Sequence, residues 1–168
     1  MRAPAVQGWF AGTLAAAAIA LAAVVRAAPA PLPTAAGLVD AYLGAWVAFY
    51  PSQAYAFGDV ASAARFEAYG EDRLAAWLAL NVRTRDQLTA RLAEDALEPA
   101  RRTDLQVLLG QVEDELARWT EDDPLRRQPQ WYAEQASQAL THLLVRAAPA
   151  GQARSDAAVR RLRGVQAL

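Results

Sequence analysis

After residue 34, apolar side chains recur at three- and four-residue intervals through five successive segments. No stretch alternates at the period of two that a half-buried strand needs, and no Asn-Gly or Asp-Gly hairpin dipeptide occurs. The first segment covers Ala35 to Phe49, with Thr34 as N-cap, the stripe Leu38, Tyr42, Ala45, Trp46 and Phe49, and Pro51 as its stop. A short turn, Ser52 to Phe57, then leads to Gly58. The second runs from Glu71 towards Glu94 on Leu74, Trp77, Leu78, Leu88 and Leu92, with Asn81 to Arg85 as a polar interruption that predicts a bend or break. The third starts near Glu98 and carries the clearest amphipathic pattern: Leu105, Leu108, Leu109, Val112, Leu116 and Trp119. The fourth, from Gln130 to Arg146, sets Tyr132, Ala136, Ala139, Leu140, Leu143 and Leu144 on one face. The fifth begins near Ser155 on Val159, Leu162 and Val165. With short connections, the expectation is an all-α fold, an antiparallel array of about five helices following an N-terminal signal helix.

That first helix is of another kind. Trp9 to Val25 is a run of 17 residues without a charge, preceded by Arg2 and followed by Arg26 and the Pro-rich stretch Pro29 to Pro33. A helix of that length spans about 25 Å, short of the roughly 30 Å hydrocarbon core of a bilayer. The layout is that of a secretory signal peptide over residues 1–27, cut after Ala27 or as late as Ala36. A Pro/Ala-rich linker over 28–36 and a helical domain over 37–168 complete the expected organisation. The chain is thus read as exported, periplasmic or extracellular, and held at a membrane only if the signal is retained.

Composition narrows the chemistry. There is no Cys, so disulfides, thiolate metal sites and cysteine nucleophiles are excluded. His142 is the only His, so no site can use two imidazoles. Removing Arg2 and Arg26 with the signal leaves 15 basic against 18 acidic residues, which argues against a nucleic-acid partner. Arg101/Arg102, Arg126/Arg127 and the cluster Arg160, Arg161, Arg163 read as solvated helix faces.

No nucleophile elbow, P-loop, dinucleotide fingerprint or H-E-x-x-H occurs. Glu121, Asp122 and Asp123 lack the alternate ligand spacing and central Gly of a calcium loop, and Asp123 before Pro124 reads as a turn cap. Glu113 and Glu115, two apart on a helix, point to different faces and form no carboxylate pair. His142 shares a polar stripe with Gln135 and Gln138, and reads as a solvated or helix-edge group unless a cleft lies there. Of the five Trp residues, Trp131, after Pro129 and beside Tyr132, is the one expected to sit outside the core. Trp131, Tyr132, Gln138 and His142 are the candidates to line a cleft; no catalytic and no metal-binding residue is assigned.

One ordered series of motifs remains. Tyr42-Leu43 is followed by Tyr50-Pro51-Ser52-Gln53-Ala54 leading to Gly58, then Gln128-Pro129-Gln130-Trp131-Tyr132. Leu143-Leu144-Val145-Arg146, Pro149, Arg154 and Arg160-Arg161-Leu162-Arg163-Gly164-Val165 close it. The series resembles the amino-terminal part of the bacterial domain-of-unknown-function 885 family, over roughly Gly37 to Leu168. That family shows a P-x-x-A-x-x-x-G turn, an N-P-x-x-Y helix start and an R-L-x-x-I-P-x-L-L element. Gln128 stands in place of the Asn, and Gln166 in place of the later Pro.

The resemblance implies that full-length relatives are helical zinc metallopeptidases, with an H-E-x-x-P-G-H-H metal motif far downstream of the matched region. Zinc catalysis needs about three protein ligands, a bound water and a base. A chain with one His does not supply them. The expectation is an N-terminal helical region, truncated before the metal site, inert by itself and without a cofactor. The missing carboxy-terminal part of the family fold would then be its partner. The alternative is a self-contained small helical module of the periplasm that binds through its amphipathic faces.

Overall fold

The computed structural model describes residues 32–94 and 96–165. The signal segment and the start of the linker lie outside these residues, as do the last three positions. The described chain is all-α: among these residues there is no strand, and no helix is long and apolar enough to cross a membrane.

Five long helices carry the fold, α1 (Ala35–Phe49), α3 (Glu71–Leu92), α4 (Pro99–Ala117), α6 (Pro129–Val145) and α7 (Gly151–Val165), with short α2 (Pro51–Ala56) and α5 (Pro124–Arg127) between them. The local causes are legible. Thr34 Oγ1 accepts the Gly37 amide at 3.1 Å and caps α1. Pro51, Pro99, Pro124 and Pro129 each open a helix at the first-turn position, where a missing N–H is no loss. After α2 the chain reverses at Gly58, whose φ of +117° is open only to glycine without strain.

The main core is built by Leu38, Tyr42 and Phe49 of α1, Trp77 and Leu88 of α3, and Leu105, Leu108 and Val112 of α4, joined by Tyr50, Tyr69, Trp119 and Trp131. Phe49 stacks on Trp77, ring centroids 4.6 Å apart at 9°, and meets Tyr50 edge-on at 4.7 Å. A smaller cluster of Tyr55, Ala63, Leu143 and Ala157 holds α2, α6 and α7 together.

α3 does not break at Asn81–Arg85. Asn81 and Thr84 are buried on the same face as Trp77 and Leu88. The Asn81 amide donates to the Trp77 carbonyl at 2.8 Å, and its Oδ1 accepts the Tyr42 hydroxyl at 3.1 Å. A buried polar group with both ends satisfied does not interrupt a helix. α4 ends differently from an ordinary helix: Arg118–Asp122 widens into a π turn, and Asp123 takes a left-handed φ of 42° before Pro124. Asp123 therefore serves as the turn residue, while Glu121 and Asp122 are exposed.

α7 turns the opposite way from its apolar pattern. Val159 and Leu162 are exposed, whereas Ala157 and Arg161 are buried. The inward face, Ala157, Arg161 and Gly164, is one of small residues plus one long cation. At Gly164 a Cβ would lie 2.9 Å from Phe66 Cβ, so this helix comes close to the Phe66 segment because a glycine permits it. Gly164→Ala should therefore destabilise by about 1–3 kcal/mol. Gly110→Ala, in the interior of α4 with open space around it, should stabilise by about 0.5–1 kcal/mol. Chemical denaturation of the two variants checks the opposite signs.

Candidate functional site

Along α4 the buried positions are Leu105, Leu108, Val112 and Glu115, continuing to Trp119 in the π turn. The spacing 3, 4, 3, 4 places a carboxylate in the middle of an apolar stripe. Glu115 is only 3% exposed. Its Oε2 accepts three hydrogen bonds, from Tyr50 Oη at 2.6 Å, Trp77 Nε1 at 3.0 Å and Trp119 Nε1 at 3.2 Å. Trp119 Nε1 shares its proton with Tyr50 Oη at 2.9 Å. Only donors surround Oε2, which suits an ionised, acceptor-only carboxylate.

Burial, and then the negative charge of Glu115, hold the Tyr50 and Tyr42 hydroxyls far above their ordinary range; burial, then Glu67 and Glu115, does the same at Tyr69. In the unfolded chain these three phenols ionise near pH 10. A raised folded-state value gives stability that is complete below that pH and lost as the pH rises beyond it. Alkaline titration followed by circular dichroism should show stability falling from about pH 10 upward. Tyr50→Phe should flatten that fall.

Beside this network lies a groove of about 1360 Å³ between α1 and α2 on one side and α4 and α6 on the other. Trp46, Tyr50, Trp119 and Trp131 line it with rings, and Glu115 contributes to the same wall. Leu43, Phe57 and Val107 stand exposed along it, Phe57 by 81%.

Three of the four cleft candidates, Trp131, Gln138 and His142, are brought to this groove by α6. Tyr132 is not. It faces the α5 side, where its hydroxyl donates to the Leu125 carbonyl at 3.3 Å. Trp131 does not stand outside the core: it is buried, edge-on to Tyr69 at 4.8 Å and to Trp119 at 5.9 Å. His142 is half-buried, and Gln138 is exposed.

A second buried polar cluster joins α2, α6 and α7. The Glu67 carboxylate accepts from the Ser52 amide at 2.9 Å and from Ser52 Oγ at 2.6 Å. Arg161, read from the sequence as part of a solvated basic face, is instead fully buried. Its guanidinium donates to the carbonyls of Ala63 at 2.7 Å, Ala139 and Ser62, and lies 4.7 Å from the centre of the Tyr55 ring. Burial pushes it below its usual range, opposed by the charge of Glu67. Tyr55 in turn donates to the Ala148 carbonyl at 2.6 Å. The exposed Arg160 and Arg163 on either side fit the solvated reading.

No family model, curated protein or solved structure matches the chain. The likeness to the 885 family therefore rests on its ordered motifs alone. Two residues within those motifs, Tyr55 of α2 and Leu143 of α6, share the smaller apolar cluster, whereas Trp131 and Tyr132 pack against Tyr69, Trp119 and Leu125. Arg154 ties the loop between α6 and α7 by bonds to the carbonyls of Pro149, Arg146 and Ala147 at 2.8–2.9 Å. These contacts are structural in kind. Among the described residues no three His, Asp or Glu side chains are placed to hold a metal ion. The zinc implied for full-length relatives finds no fitting donor set in them.

Both buried acids and Arg161 escaped the sequence reading as site residues. A signal for Glu115 was present in its place within the α4 stripe, and for Arg161 in its spacing of four from Ala157.

Proposed function

We propose that the folded region is a non-catalytic binding module that takes a small, largely apolar molecule in the α1–α4–α6 groove. The observation that carries this is the groove itself: aromatic side chains from α1, its C-terminal cap, the π turn and α6, Trp46, Tyr50, Trp119 and Trp131 among them, wall one cavity together with polar and charged side chains of α1, α4 and α6. Ligand sites are commonly concave, mostly apolar and ring-lined, with a small number of fixed polar groups. The groove's volume is somewhat above the usual 300–1,000 Å³ of such pockets.

Nile red, a neutral apolar dye, tests the reading with the full chain. One saturable site is expected, weakened at least ten-fold by Leu43→Glu with Val107→Glu, two exposed positions on the groove wall. Absence of saturable binding, or binding indifferent to those changes, would overturn the proposal.

Export remains part of it, on the strength of the residue 1–27 layout. Cleavage after Ala27 is the site that suits the folded region, because a cut after Ala36 would remove the Thr34 cap and open the first turn of α1. The intact mass of the protein recovered from a bacterial periplasm tests this.

A second reading keeps the chain as the amino-terminal layer of a peptidase-like protein of the 885 kind. What favours it is that Tyr55 and Leu143, from two of the ordered motifs, share one small apolar cluster. Stoichiometric zinc, or peptide hydrolysis by the purified chain, would sink this reading.

A further inference from the structure

We propose that the groove selects an organic cation, an alkylammonium whose charged head reaches Glu115 and whose hydrocarbon part lies against the rings. The inference rests on the binding-module reading and adds the chemistry of the ligand. Three donors are committed to Glu115 Oε2, but among the described residues no hydrogen bond reaches Oε1. The nearest cation to it is Arg118 Nε at 3.8 Å, beyond hydrogen-bond distance, on a side chain 53% exposed. An ion pair with so exposed a partner is screened by water and easily opened.

Glu115 is the buried charge on the groove wall; Asp40, Arg101, Asp104 and Arg118 are all exposed, with Arg101 and Asp104 3.6 Å apart. An anionic head would meet this carboxylate and be repelled. A neutral chain would leave Oε1 without a donor, at the cost that any desolvated acceptor carries. An ammonium satisfies it with an N–H donor and an opposite charge.

The experiment is displacement of Nile red from the full chain by hexylammonium, hexanol and hexanoate, three six-carbon probes with cationic, neutral and anionic head groups. Hexylammonium should bind at least ten-fold more tightly than hexanol, with hexanoate weakest. Arg118→Met, an exposed change that removes the competing cation, should widen that preference, and Glu115→Gln should abolish it. If Glu115→Gln fails to fold, the Arg118→Met comparison decides by itself. Equal displacement by hexanol and hexylammonium, or a preference that Arg118→Met leaves unchanged, overturns the cation selection while the groove stands. If Nile red itself finds no site, the binding-module reading falls and this inference with it.

Discussion

Arg161→Met should lower the stability of the folded region by about 3–5 kcal/mol, enough to move the thermal midpoint by roughly 10–20 °C. The substitution keeps an unbranched apolar stem and removes the five donors. The carbonyls of Ala63 and Ala139 then lose a charge-assisted partner each, and the ring of Tyr55 loses the cation 4.7 Å from its centre. Glu67 is left in the same region without the opposing charge that now acts on it. Arg161→Lys should recover only part of the loss, because an ammonium cannot present a planar fork to two carbonyls on different elements. Arg160→Met and Arg163→Met, one and two residues away on the exposed side, should stay within about 0.5 kcal/mol of the parent. Equilibrium urea denaturation of the four variants makes the comparison. Equal effects at all three positions would mean that the cluster is a solvated face after all.

The second large effect is expected at Glu115. Glu115→Leu deprives Tyr50 Oη and Trp77 Nε1 of their acceptor. Trp119 Nε1 keeps Tyr50 Oη at 2.9 Å, so two buried donors are stranded rather than three. At about 1–3 kcal/mol for each stranded donor, less the relief of no longer burying a carboxylate, the net loss should be about 2–4 kcal/mol. In a Tyr50→Phe background Trp119 Nε1 has already lost its other acceptor, so the same substitution again strands two donors, Trp77 Nε1 and Trp119 Nε1, and should cost about as much. Glu113→Leu, exposed on the same helix, should change stability by no more than about 0.5 kcal/mol.

These two residues also mark where the sequence could and could not be read. The helices were legible because periodicity, Thr34 and the first-turn prolines all point the same way; α1 begins and ends at the residues its pattern indicates. Asn81 reads as a break only while its partners are unknown. The Tyr42 hydroxyl that satisfies it comes from a different helix, 39 positions earlier in the chain. The inward face of α7 is hidden in the sequence for a related reason. The helix's apolar residues Val159 and Leu162 outweigh Ala157 and Gly164 by hydrophobicity, yet the small residues allow the close approach and Arg161 finds carbonyls supplied by two other elements.

The groove shows the same division. Trp131, Gln138 and His142 share it because one helix turns all three the same way, a relation that spacing reveals. Tyr132, the next residue after Trp131, points about 100° away around the helix and is drawn to Leu125 instead. The opposite wall, with Trp46 and Tyr50, comes from the start of the fold, and nothing local ties it to α6. In the sequence Glu115 reads as one of two acids, with Glu113, that do not face each other. That geometry holds, but its partners are a phenol and two indoles from other parts of the chain.

The groove as a ligand site is the central claim, and amide chemical-shift mapping of the full chain during titration with Nile red addresses it most directly. The account predicts that shifts concentrate at Leu43, Val107, Gln138 and His142, from the three long helices that line the cavity, and spare Arg85 and Asp86 on α3. Shifts centred on α3 or α7, or scattered with no relation to the groove, would contradict it.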